Sequence, residues 1–520
     1  MNIRFRGKDH SFTALDDAVA LRATGAQRGD KQLTVKETLR TANASAANDD
    51  RDGNRFGVRL PGAERRIFER AGWAFAQAND SLMERSRRRA TVADRVQAWP
   101  VIVGRGNTTL IVTDLVTVKL PDAMDHEMVE KVLRSHHLQR VRNLRFARNL
   151  FEARMTGQDP LEEQIAALQS EPSGPFEFVE PAFLQALSSR AIGSTVPAPH
   201  AAQWQHLNAG GSGGVSGADG RTLAAWSLAK GTSVKLAFVD NGFHVGHPDL
   251  SAGLFRGGHF SDDGLGTGPF IPRNAVAMGI PEENHGTFCL GMAGSRFTSA
   301  PKVFGSAPEC DLIPIACLED QVGTQATLAR AIAYAADPTT EEPGSGRADG
   351  ADVIGCSLGP NGGDWTLTSV LDLAIEFVAA NGRGGKGTPL FWAVANDPVP
   401  VSNDEVSSHP QVVAVGRSNR HDQADGSAYG ERLAVLAPGT EVYSTFGKNG
   451  HRAWTGTSFA CPFAAGVAAL VLERFPAMTA DEVVLKVTST CDKVGGVAYD
   501  ASGHHDHYGY GRINAEQAVT

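Results

Sequence analysis

The rhythm of hydrophobic and polar positions changes near residue 231. Ahead of that point, Leu110–Leu120 reads as a strand, and Met124, Met128, Val132 and Leu133 then recur at helical spacing. Val141–Met155 holds one long or two short strands, with Phe151, Ala153 and Met155 alternating. A second helix is expected from Asp159-Pro160, with Asp159 as N-cap, Pro160 at the first helical position and Glu162 at the third. Leu161, Ile165 and Leu168 supply its apolar face, and F-E-F-V-E-P-A-F (176–183) is the closing strand. The order β-α-β-β-α-β describes a split βαβ layer.

Beyond residue 231 short continuous apolar runs take over: V-K-L-A-F-V (234–239), C-D-L-I-P-I-A (310–316), A-D-V-I-G-C-S (351–357), P-L-F-W-A-V-A (389–395) and V-V-A-V-G (412–416). Such runs suit parallel strands buried on both faces. Helical stretches at Thr327–Ala336 and Thr366–Ala380 lie between them. The expected fold is α/β, a doubly wound and mainly parallel sheet with helices on both faces and its sites at the carboxyl ends of the strands.

Linker composition divides the chain. The expected units are an N-terminal region 1–105 with a polar linker near 41–54, a split βαβ domain 106–186, a Ser/Ala/Pro-rich linker 187–202 and a large α/β domain 203–520. A-G-G-S-G-G-V-S-G (209–217) reads as a flexible loop, and Arg85, Arg87, Arg88 and Arg89 as a solvated helix face.

Length and composition agree with this layout. At roughly 150 residues per domain, 520 residues suggest about three domains. The 57 glycines point to many tight turns rather than a helical array. A formal charge of −9 is too mild for a dedicated nucleic-acid binder, and the longest apolar run, Ala464–Leu472, is too short to span a bilayer. Residues 1–200 carry 29 basic and 25 acidic side chains, whereas the remainder carries 20 and 33, so the two parts have opposite net charge. No secretory signal is visible at the N-terminus, and six cysteines without C-x-x-C spacing suit reduced, buried thiols. The expected location is therefore cytoplasmic, with neither nucleic acid nor membrane as a partner.

Three element ends carry the chemistry. Asp240 follows the strand V-K-L-A-F-V, His285 stands in N-H-G-T-F-C-L-G-M-A-G, and Ser458 stands in G-T-S-F-A-C-P at a helix start. A serine hydroxyl is a weak nucleophile near pH 7, so it needs a base within reach and a carboxylate to hold that base's tautomer. A helix beginning at Ser458 would aim its N-terminal N–H groups at developing negative charge.

In the order Asp…His…Ser, D-N-G…H-P-D-L, N-H-G-T and G-T-S-F-A-C-P resemble the subtilisin-like serine peptidases, the subtilase family. The resemblance runs from about residue 203 to 520 and implies a serine endopeptidase with Asp240, His285 and Ser458 as its triad. It further implies Asn396, in W-A-V-A-N-D, as the oxyanion donor, and Ser357, Leu358 and Gly359 as the strand that pairs with substrate. Ala395 stands where the family usually has glycine, and Phe288 where it has a second histidine.

Residues 106–184 look like a subtilase propeptide, and residues 1–105 like β-rich stretches ahead of some bacterial members. The resemblance thus implies a zymogen whose N-terminal domain is an intramolecular partner, cut within Leu187–His200 or retained as a regulator. No cofactor is expected; calcium is left open at Asp249 in H-P-D-L, since the further oxygen ligands are not legible. His504, His505 and His507 read as a solvated loop rather than a zinc site, and Cys289 as a buried core thiol. A catalytically silent peptide-binding scaffold and an esterase or acyl transferase on the same triad are the alternatives.

Overall fold

The computed structural model describes residues 2–23, 67–68, 71–77, 80–87, 91–93, 96–104, 108–170, 174–186, 188–189, 203–260, 270–272, 280–296, 303–318, 322–342, 344–360 and 363–520. The linker expected at 41–54 lies outside these residues. So do Arg88 and Arg89, and all of the 187–202 linker except Ser188 and Ser189.

The N-terminal half is built on one sheet. Its strands are β1 (Asn2–Phe5), β2 (Lys8–Ser11), β3 (Thr13–Ala23), β4 (Ala74–Gln77), β5 (Thr91–Ala93), β6 (Val96–Val103), β7 (Thr109–Lys119), β8 (Leu138–Asn143), β9 (Leu150–Met155) and β10 (Phe178–Ala186). A hairpin, β1–β2, stands apart from the sheet, whose main path includes β10-β7-β6-β3-β4. Antiparallel pairing of β6 with β7, Val101 opposite Ile111, carries the sheet across the boundary expected at 105/106. One apolar cluster, from Ile3 through Trp99 and Ile111 to Ala186, lies beneath both parts.

Two local expectations are corrected here. Helix α1 (His126–Ser135) buries Val129 and Leu133, whereas Met128 is 49% exposed. Packing on the sheet, not the spacing of the methionines, selects the face. Helix α2 (Leu161–Gln169) takes Pro160 as its N-cap and has no side-chain cap. The Pro160 carbonyl accepts from the Glu163 and Gln164 N–H groups, so the helix starts one residue later than Asp159 would require.

The α/β half carries a second sheet, ordered β14-β13-β15-β12-β17-β19-β20-β21. Its strands are β12 (Lys235–Asp240), β13 (Gly258–Phe260), β14 (Phe270–Pro272), β15 (Asp311–Cys317), β17 (Val353–Cys356), β19 (Leu390–Ala393), β20 (Val412–Ser418) and β21 (Leu433–Pro438). All pairings are parallel except the edge pair β13–β14. Leu236 and Phe238 enter one apolar cluster and Ala237 and Val239 another, which is the two-faced burial expected of a run without alternation. Helices α3 (Asn284–Gly294) and α6 (Thr457–Arg474) fill the first cluster; α4 (Gln325–Ala336) and α5 (Ser369–Gly385) fill the second. Helix α6 is long and apolar enough to cross a membrane by length and composition, yet 89% of it is buried inside the protein.

The two halves meet along backbone and side chains. Gln185 and Ala186 of β10 pair antiparallel with Gly323 and Val322, the two residues of β16. Glu180 of β10 accepts from the Ser369 N–H at 2.7 Å and the Ser369 hydroxyl at 2.5 Å, at the start of α5, and from the Arg6 N–H at 2.8 Å. A carboxylate there complements the positive end of the helix. The loop 209–217 is also held in place: Asn208 donates to the Ala218 and Arg420 carbonyls, and the Val215 N–H to that of Arg420.

Candidate active site

The switch in strand order occurs at β12, which has β15 on one side and β17 on the other. Ligand crevices in such sheets open there, beyond the carboxyl ends of the strands. Asp240 is the last residue of β12 and fully buried. His285 is the second residue of α3, and its Nδ1 lies 2.9 Å from both Asp240 Oδ1 and Oδ2. A carboxylate only accepts, so Nδ1 carries the proton and Nε2 is left as the base. Phe459 and Trp454 stand against the imidazole, with centroids 5.7 and 6.1 Å away.

Ser458 is the second residue of α6, and its buried Oγ makes no hydrogen bond among the described residues. The Asp240–His285 link is thus closed, and the His285–Ser458 link is not. Resting hydroxyl–imidazole contacts often tighten only with substrate bound.

The backbone of Ser458 is braced instead. Its carbonyl would normally accept from the residue four positions on, but that is Pro462, which has no N–H. The Ser357 hydroxyl at 2.9 Å and the Cys289 thiol at 3.2 Å donate to it in place of that bond. Ser357 therefore turns its side chain inward, while Leu358 and Gly359 form the short strand β18. Burial, and then the Asp240 charge, push the Cys289 thiol well above its ordinary range, so it acts as a neutral donor. Ser357→Ala is expected to cost about 1 kcal/mol, and Ser357→Ala with Cys289→Ala more than the sum, because the carbonyl is then left unsatisfied. Denaturation midpoints of the two single variants and the double variant check this; simple additivity would contradict it.

Asn396 follows β19, and the donors that reach it converge on Oδ1. They are the Thr457 N–H at 3.0 Å and Arg417 Nη1, while the Thr457 hydroxyl donates to the Val394 carbonyl at 2.6 Å. Neither a backbone N–H nor a guanidinium accepts, which settles the orientation of the amide and turns Nδ2 away from them. Sequence reasoning did not single out Arg417; a lone charge inside V-V-A-V-G-R-S was the available signal.

The cleft strand β18 already has a backbone partner. Ser188 and Ser189, strand β11, pair antiparallel with Gly359 and Leu358. Together with the β10–β16 pairing, this joins the end of the N-terminal half to two strands of the α/β half.

The residues weighed for a metal have local partners. Asp249 Oδ2 lies 2.8 Å from His451 Nε2. Among the described residues the one group of three His, Cys, Asp or Glu ligands is Asp240, His285 and Cys289. His504 is buried and bonded to the Leu433 carbonyl at 2.8 Å, and His507 stacks on Tyr429, so these histidines serve different partners. His504 is a structural residue, not part of a solvated loop.

The description of the Subtilase family matches residues 231–511, more than half of the chain. The chain belongs to the subtilase family. This subtilase is 30% identical over 301 residues to thermitase of Thermoactinomyces vulgaris, covering 57% of this chain and 91% of thermitase. It is 31% identical over 368 residues to a calcium-dependent protease of Trichormus variabilis, covering 61% of this chain. The chain spans about half the length of that relative and of its Nostoc counterpart, 50% in each case.

Among solved structures, a protease from Pseudoalteromonas arctica matches with a TM-score of 0.51 at 25% identity, covering 63% of this chain and 99% of that one. Fervidolysin from Fervidobacterium pennivorans, a keratinolytic enzyme related to subtilisin, matches with a TM-score of 0.58 at 18% identity, covering 80% of this chain and 62% of that one. Residues 203–520 make up only about three fifths of this subtilase, so the fold likeness to fervidolysin extends into the N-terminal half.

Proposed function

We propose that this subtilase is a serine endopeptidase that hydrolyses peptide bonds in proteins, with its own N-terminal half as an inhibitor held in the cleft. Ser458 attacks the scissile carbonyl, and His285 Nε2 takes its proton and later returns it to the leaving amine. Asp240 holds the imidazole and stabilises its charge, and Asn396 with the Ser458 N–H stabilises the oxyanion. An acyl-enzyme forms and water resolves it.

The observation that carries this reading is the backbone pairing of Ser188–Ser189 with Leu358–Gly359, one residue from the Ser357 that braces Ser458. Strand addition is how a cleft selects extended peptides, and it favours a peptidase over an esterase or acyl transferase. The occupant belongs to the same chain, which supports self-inhibition and a cut on the C-terminal side of Ser189, within the segment ending at His200. All six cysteines are buried thiols, which supports the reducing, cytoplasmic location expected from the sequence.

Intact mass and fluorophosphonate labelling of the wild type beside Ser458→Ala test the proposal. A wild type that is cut past Ser189 and labelled at Ser458, beside a whole and unlabelled variant, is the expected result. A wild type that stays whole but labels would make the N-terminal half a standing regulator. One that neither cuts nor labels would leave the silent scaffold as the reading.

Release of the N-terminal half is expected to depend on pH. Burial raises the Glu180 carboxyl above its ordinary value of 4.5, against the Ser369 and Arg6 bonds that lower it. The docked state therefore binds more protons than the undocked one, and docking weakens as pH rises above that value. Arg6 beside it is paired with Asp372 at 2.9 Å, and His409 lies 3.0 Å from that Asp372 carboxylate. In the Ser458→Ala protein, hydrogen exchange of 178–186 should quicken with pH beyond the chemical rate, and Glu180→Gln should flatten that excess. An unchanged slope in Glu180→Gln would exclude Glu180 as its source.

A further inference from the structure

Arg417, on β20, is buried, at 4% exposure. A buried guanidinium is costly unless its surroundings are arranged for it. Its space depends on two glycines: a Cβ on Gly426, at φ +60°, would lie 2.4 Å from Arg417 Nη2, and one on Gly439 would lie 2.7 Å from Arg417 Cβ. Its acidic neighbour is remote, since Asp425 Oδ2 is 3.9 Å from Nε and already accepts from the Thr440 hydroxyl at 2.6 Å. The short contact is to the Asn396 carbonyl oxygen through Nη1. Burial lowers the Arg417 pKa from the usual guanidinium value, with Asp425 and Asp397 opposing.

On the reading of Asn396 as the oxyanion donor, we infer that Arg417 is a positioning residue that locks and polarises the Asn396 amide. Two features of the geometry lead there. First, Arg417 Nη1 and the Thr457 N–H both donate to Oδ1, so the amide cannot turn over without presenting its NH2 group to donors. Second, the guanidinium cation donating to Oδ1 draws electron density from the amide nitrogen, which makes Nδ2–H a stronger donor to an oxyanion than a neutral partner would. The gain is felt when negative charge develops on the substrate oxygen, so it belongs to kcat and not to ground-state binding.

The experiment is a double-mutant cycle on the full chain with a peptide substrate, with active sites counted by fluorophosphonate titration. Arg417→Met is expected to lower kcat about tenfold with KM changed less than about twofold, and Arg417→Lys to recover part of the loss. Asn396→Ala alone should lower kcat by about 10²–10³. Adding Arg417→Met to Asn396→Ala should change kcat by less than about twofold, because the group it acts through is gone. A further tenfold loss in that background, or a rise in KM with kcat intact, would overturn the inference. Should Arg417→Met fail to fold, Arg417→Lys runs the same cycle: a loss confined to the Asn396 background supports the role, and equal losses in both remove it. A wild type that turns over no peptide removes the endopeptidase reading itself, whereas an active one with additive losses removes only the role of Arg417.

Discussion

Replacing Ser458 with alanine is expected to lower kcat by on the order of 10⁶, the size found for the nucleophile of subtilisin itself. The expectation rests on what the substitution leaves in place. Ser357 and Cys289 hold the Ser458 carbonyl rather than its side chain, and Oγ has no hydrogen bond to lose, so the start of α6 should keep its geometry. Asn396 and the backbone N–H remain to bind a developing oxyanion, which should leave roughly 10³–10⁴ of catalysis over water. Steady-state kinetics on one peptide, beside matched thermal midpoints, give the comparison. A loss below about tenfold at unchanged stability would mean that another group attacks the substrate.

Asp240→Asn should cost about 10⁴ in kcat, although it changes little in shape. The Asn241 N–H donates to Asp240 Oδ1 at 2.8 Å, so an asparagine must place its carbonyl oxygen there. Its NH2 group then occupies the Oδ2 position, 2.9 Å from His285 Nδ1. Nδ1 then faces one acceptor and one donor in place of two acceptors, so the tautomer with its proton on Nδ1 loses its preference over the one with the proton on Nε2, the atom that has to receive the Ser458 proton. The imidazolium also loses the charge that stabilised it. A kcat within tenfold of wild type would show that the tautomer is held by some other contact.

Much of the site was legible because its chemistry ties residue types to local contexts. Asp240 at a strand end, His285 and Ser458 at helix starts and the glycines beside them are all features of a few consecutive residues. The parallel strands could be read for a similar reason, since burial on both faces leaves a continuous apolar run. Local rules failed where packing made the choice. The exposed Met128, the cap at Pro160 and the buried His504 each follow from a partner that spacing does not reveal. Val322–Gly323 had no signal of its own, because two residues acquire a role only when β10 lies beside them.

By itself, then, the sequence determined the order of elements, the two-faced burial of the α/β sheet and the residue types at the ends of its strands, all set by neighbours within a few positions. Tertiary structure alone decided which distant groups complete one another. Ser357 and Cys289 replace the bond denied by Pro462, Arg417 meets Asn396, Glu180 caps α5, and Ser188–Ser189 lies along Leu358–Gly359. The physical reason is the same in each case: a buried donor, acceptor or strand edge must be satisfied, and the partner that satisfies it is chosen by the fold, across separations that periodicity does not encode.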